Sequence, residues 1–105
     1  MGTKLERAAV LTAIYNAVDE LNPQLAEERR LEKGEAVLVF GEDAPFDSLD
    51  LVNFVMIVEQ NILDETGEEL VLASEAAMSR KRSPYRSIGA LADYALEVAE
   101  GVAAE

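Results

Sequence analysis

A serine stands near the end of the stretch Phe40-Gly41-Glu42-Asp43-Ala44-Pro45-Phe46-Asp47-Ser48-Leu49-Asp50, directly after an aspartate and before a leucine. The apolar run that follows reads as a helix, which places Ser48 at its start. A phosphodiester on that oxygen would lie at the positive end of the helix dipole, near backbone N–H groups that have no partner within the helix. The hydroxyl would be exposed while the helix behind it stays anchored in the core, which suits the root of a flexible prosthetic arm. A plainer reading stands beside this one, because serine near an N-cap is among the commonest features of any helix. Other covalent chemistry is scarce. The chain has no Cys and no His. That removes thiolate nucleophiles, disulfides, iron–sulfur clusters and Cys-based zinc sites, and with them Ser–His–Asp triads and imidazole bases. Catalysis would have to rest on carboxylates, Lys, Arg, Tyr or Ser, and no general base is visible among them. The expectation is a protein that is not an enzyme, with no catalytic residue and no metal ligand set.

The surrounding charge is strongly one-sided. Nine Lys and Arg face 21 Asp and Glu, a net charge of −12 over 105 residues. No Lys or Arg occurs from Gly34 to Ser79, so the middle of the chain carries most of the negative potential. Basic residues return at Arg80, Lys81, Arg82 and Arg86. Such acidity argues against nucleic acid and anionic membrane surfaces and favours basic partners. The length fits a single domain over residues 1–105, and an apolar content of half the chain fits a globular one. No apolar run is long enough to span a membrane, and the first residues do not form a signal peptide. A cytoplasmic monomer without membrane insertion is expected.

The elements that must position Ser48 read mainly as helices. Leu11, Ile14, Val18 and Leu21 recur at spacings of three and four, and Asn22-Pro23 ends that pattern. Ile88, Leu91, Ala92, Ala95, Leu96, Ala99 and Val102 form a second stripe, with Ser87 placed to cap it. The central segment from Asp47 to Leu63 is harder to read. Its run Leu51-Val52-Asn53-Phe54-Val55-Met56-Ile57-Val58 is almost wholly apolar and would also suit a buried strand. Length and capping favour a helix, because Asp47 and Asp50 stand as an acidic variant of the capping box. Two short runs, Ala36–Phe40 and Leu70–Leu72, read either as strands that pair or as loops that plug the core.

Taken together, this region resembles the acyl carrier protein family, small acidic four-helix proteins that bear phosphopantetheine on a serine. The family's signature is a Phe, then Glu-Asp, then Asp-Ser-Leu-Asp opening the second helix. Here those residues are Phe40, Glu42-Asp43 and Asp47-Ser48-Leu49-Asp50. The likeness continues through Val52, Val55, Met56 and Glu59, and returns at Ser87-Ile88, Ala90 and Asp93-Tyr94. The resemblance implies an all-α, four-helix carrier bundle with long loops. Its helices would span about residues 3–21, 47–63, 74–82 and 87–100. It further implies a 4'-phosphopantetheine arm attached to Ser48, holding an acyl or aminoacyl group as a thioester. The pathway would be fatty acid, lipid or secondary-metabolite biosynthesis. Asp47, Leu49 and Asp50 would form the surface read by a phosphopantetheinyl transferase. Met56 and Glu59 would belong to the helix that docks on basic patches of an acyl-activating ligase and of acyl-transferring or elongating enzymes.

The chain also departs from the family. Pro45 stands where a Gly is usual, Phe46 is bulky, and Asn53 and Gln60 replace common Glu positions. The connection between the second and last helices is longer and includes Arg80-Lys81-Arg82, and the loop before Phe40 is long too. These features suggest a specialised carrier. Other residues have ordinary readings. The basic cluster reads as a solvated loop or as a contact for phosphate or a partner's acids. Asp43, Asp47 and Asp50 lack the spacing of an EF-hand. Gly67 is placed to supply a left-handed helix cap. The alternative to a carrier is a helical interaction module, in which Ser48 is only a helix cap.

Overall fold

In a computed structural model of the protein, residues 5–79 and 83–101 are described. Within them the chain forms helices α1 (Arg7–Leu21), α2 (Ser48–Thr66), α3 (Glu75–Met78) and α4 (Ile88–Ala99). There is no strand among the described residues, only two isolated bridges. α1 packs against both α2 and α4. Its buried face is Val10, Ala13, Ile14, Ala17, Val18 and Leu21, the three-four pattern of the sequence. The central segment is a helix, and it buries Leu51, Phe54, Val55, Val58 and Ile62. A helix with that apolar stripe is held by tertiary packing more than by propensity. Asn61 Nδ2 also donates to the Ala13 carbonyl at 3.1 Å, tying α2 to α1.

The helix ends differ from the expected ones by a few residues, each for a local reason. The first helix starts at Arg7 and not at 3, because Glu6 is extended (φ −97°, ψ 146°). Residues 3 and 4 lie outside the described residues. The second runs three residues past Leu63. Thr66 Oγ1 donates to the Ile62 carbonyl at 2.7 Å, and Gly67 then closes the helix at φ 80°. Its N–H donates to the Leu63 carbonyl at 2.9 Å, as the left-handed cap requires. The third is a single turn capped by Ser74, whose Oγ accepts from Ala77 N–H at 3.1 Å. Arg80, Lys81 and Arg82, expected at its end, lie outside the described residues. Ser87 caps the fourth as expected, accepting from Ala90 N–H at 3.1 Å. Val102 lies outside the described residues.

The two ambiguous runs are loops that plug the core. Val39, Leu70 and Leu72 are buried, and the runs do not pair with each other. The first lies along the entry to α4. Val39 N–H donates to the Arg86 carbonyl at 3.0 Å, Ile88 N–H to Val37 at 3.0 Å, and Gly89 N–H to Glu35 at 2.8 Å. The close approach explains the glycine, since a Cβ at position 89 would lie 3.0 Å from the Glu35 carbonyl oxygen. Arg7 bonds both Glu35 and Asp93 and fastens the same corner. These bonds, the one to Glu35 first, raise its pKa beyond the usual arginine value. The loop after α1 folds back through Asn22. Its Nδ2 donates to the Leu31 carbonyl at 2.8 Å, and its Oδ1 accepts from Leu31 N–H at 2.9 Å. A short 3₁₀ turn, Glu27–Arg29, lies inside that closed loop and carries Arg29 to the start of α2.

Candidate functional site

The start of α2 is built by three consecutive residues with separate tasks. Phe46 lies just before the cap and turns inward. It is buried, and its ring meets Phe54 edge-on at 5.6 Å and 77°. Phe46 and Leu51 hold the two positions of a hydrophobic staple, and both are buried. The Phe46 N–H donates to the Val39 carbonyl at 3.2 Å, fixing the chain's entry angle. Asp47 is the N-cap. Its Oδ1 accepts from Asp50 N–H at 2.9 Å, and Asp50 Oδ2 accepts from Asp47 N–H at 3.4 Å, completing a capping box. Ser48 is therefore the first helical residue and not the cap. It is exposed, and its hydroxyl has no hydrogen-bond partner among the described residues. The bulk of Phe46 is spent in the core and does not crowd the serine.

The candidate recognition residues fall into two groups. Asp47, Leu49 and Met56 face solvent, with side-chain exposure of 68% for Asp47 and residue exposure of 70% for Leu49 and 57% for Met56. Asp50 and Glu59 are engaged inside the molecule. Arg29 pairs with Asp50 and reaches Asp47 at 3.7 Å, and the Asp50 side chain is left only 13% exposed. Glu59 Oε2 accepts from Leu72 N–H at 2.6 Å and Ala73 N–H at 3.1 Å. The Tyr85 hydroxyl donates to the Leu72 carbonyl from the other side. Residues 67–74 thus form a strap latched across α2. A cleft of about 240 Å³ opens between strap and helix, lined mainly by Met56, Gln60, Leu63, Leu70 and Val71. It lies along the helix from Ser48 and not at it.

The arrangement offers an accessible hydroxyl, that of Ser48, at a capped helix start. The residues fit an ester-linked phosphate on Ser48 Oγ: the oxygen is exposed, it is not needed for capping, and the helix dipole favours negative charge there. Asp47 opposes that charge, and Arg29 offsets it. No group of acids and other ligands among the described residues is arranged to hold a metal ion. No helix among them is long and apolar enough to cross a membrane. Sequence reasoning missed Arg29 and the inward turn of Glu59. A signal for the first existed, since Arg29, Arg30 and Lys33 are the last cations before the long cation-free stretch. Comparison with family models, curated proteins and solved structures finds no match for this chain.

Proposed function

We propose that this chain is a carrier, holding an acyl or aminoacyl group on a 4'-phosphopantetheine arm at Ser48. The observation that carries the reading is the exposed, unpartnered Ser48 hydroxyl within Asp47-Ser48-Leu49-Asp50 at the start of a core-anchored helix. When attached, the arm supplies the thiol that the cysteine-free chain lacks, and the cargo rides on it as a thioester. Attachment replaces the Ser48 O–H bond by an ester bond to phosphorus. The donor is coenzyme A, the leaving group is 3',5'-adenosine diphosphate, and the hydroxyl proton is released. The protein itself catalyses nothing. In this reading the four helices form an acyl-carrier-like bundle, and the chain works as a cytoplasmic monomer. It would visit a transferase, a ligase and acyl-transferring enzymes, all with basic surfaces. Acidic carriers meeting basic enzymes gain fast encounter more than tight binding.

The rival reading is an interaction module with Ser48 only a helix cap; Asp47 holds the cap instead, and the module itself stands or falls with the mass experiment. The deciding experiment incubates the protein with coenzyme A, Mg²⁺ and phosphopantetheinyl transferases and follows its intact mass. One phosphopantetheinyl group on the wild type and none on Ser48→Ala is the expected result. No gain with any of several transferases refutes the carrier.

A further inference from the structure

We infer that Arg29 is a specificity-determining residue for the Ser48 site, a self-docked cation that occupies the Asp50 carboxylate a basic partner would otherwise take. The inference rests on the carrier reading of Ser48. A partner that reaches this serine enters a region with no Lys or Arg of its own sequence from Gly34 to Ser79. Its basic groups meet two carboxylates at the helix start, Asp47 and Asp50. Among the described residues, the ion pairs to both come from Arg29. The placement is built into the fold. Asn22 clasps Leu31, Arg30 Nε donates to the Leu25 carbonyl at 3.0 Å, and the turn Glu27–Arg29 is thereby aimed at α2.

The two carboxylates differ sharply in access. Asp47 keeps 68% of its side chain in solvent, and Asp50 only 13%. An incoming cation reaches Asp47 directly and reaches Asp50 only by displacing Arg29. Arg29 itself is 39% exposed, so the exchange is between two pairs of similar kind. A pair of this sort opposes the newcomer by up to about fivefold in affinity. Arg29 therefore acts as a latch. A transferase with its own cation placed for Asp50 must open it, and one that reads only Asp47 and Leu49 does not. That separates accepted from rejected partners without any change at Ser48.

The test is the steady-state rate of phosphopantetheinylation with coenzyme A, Mg²⁺ and a broad-specificity transferase, read by intact mass at several salt concentrations. The proteins are wild type, Arg29→Ala, Arg29→Gln and Lys33→Ala. Lys33 pairs with Asp19 on α1, so its removal subtracts the same charge away from Asp50. Amide exchange at Asp50 and Leu51 checks that the capping box survives. Both Arg29 variants should lower KM, by up to about fivefold, at unchanged kcat and with a steeper salt dependence, while Lys33→Ala stays near wild type. Equal effects of Lys33→Ala and the Arg29 variants overturn the inference, as does a higher KM on losing Arg29. Modification of none of the four proteins by any transferase would instead remove the carrier reading, and the inference with it.

Discussion

Replacing Glu59 by alanine should free the strap of residues 67–74 while leaving α2 itself intact. The carboxylate accepts two bonds on one oxygen, from Leu72 N–H at 2.6 Å and Ala73 N–H at 3.1 Å. A hydrogen bond to a charged group contributes about 1.5–3 kcal/mol. The two share an acceptor atom and the side chain is only half-buried, so water recovers part of the loss. A total of about 2–3 kcal/mol follows. Alanine favours the helix by only a few tenths of that, about 0.3 kcal/mol. Glu59→Gln keeps a carbonyl acceptor without the charge and should cost about 1 kcal/mol. Glu69→Ala is the control, an exposed glutamate that makes no hydrogen bond in the structure. Urea unfolding gives the stabilities, and native-state hydrogen exchange reads the Leu72 and Ala73 amides directly. Those two amides should exchange much faster in Glu59→Ala, while amides of α1 follow only the global change. If Glu59→Ala matches Glu69→Ala and the two amides keep their protection, the latch is not what holds the strap.

Other substitutions separate the roles at the start of α2 and around the strap. Asp47→Ala should cost about 1 kcal/mol in urea unfolding through loss of the cap, whereas Ser48→Ala should stay within about 0.5 kcal/mol of wild type. Equal costs would mean that the serine shares the capping task. Tyr85→Phe should cost about 1 kcal/mol, because the Leu72 carbonyl loses its buried donor while the ring contact with Tyr94 at 6.0 Å remains. A neutral result there would remove the second half of the latch. Gly67→Ala forces a Cβ onto a left-handed residue at φ 80° and should cost about 1 kcal/mol, with Gly67→Asn costing less. Thermal unfolding of the three proteins gives the order, and an unstrained Ala at 67 would contradict it.

Most of the helical framework was legible because it depends on near-neighbour spacing. The stripe of α1, the Ser87 cap, the Asp47–Asp50 capping box and the Gly67 stop are all encoded within a few residues of where they act. The loops were not legible in that way. Ala36–Phe40 is apolar and β-branched like a strand, yet its long-range hydrogen bonds go to Phe46, Arg86 and Ile88, which no local pattern reveals. Glu59 presents the same difficulty. On a helix wheel it is one more acid on a half-polar face. Its carboxylate turns inward because the strap brings two N–H groups to it from 13 and 14 residues away. Asp50 likewise reads only as a capping-box acid until the folding of the loop that carries Arg29 sets that cation against it.

That inward use of charge narrows what the surface of α2 can offer a partner. Of the five residues expected to be read by partner enzymes, Asp50 and Glu59 are committed to the chain's own loops, and Asp47, Leu49 and Met56 remain in solvent. The solvent-facing set is one carboxylate, which also caps α2 and lies 3.7 Å from Arg29, and two apolar side chains. A docking partner then gains steering from the overall negative field, which acts over about a Debye length, but finds few fixed ion pairs at contact. In the carrier reading, contact specificity would then rest on apolar complementarity with Leu49 and Met56. Raising salt should therefore slow encounter with a basic partner more than it speeds release. Truncating Leu49 or Met56 to alanine should act mainly on release. Stopped-flow measurement of both rates distinguishes this from a surface dominated by ion pairs, in which salt would speed release strongly and the two truncations would change little.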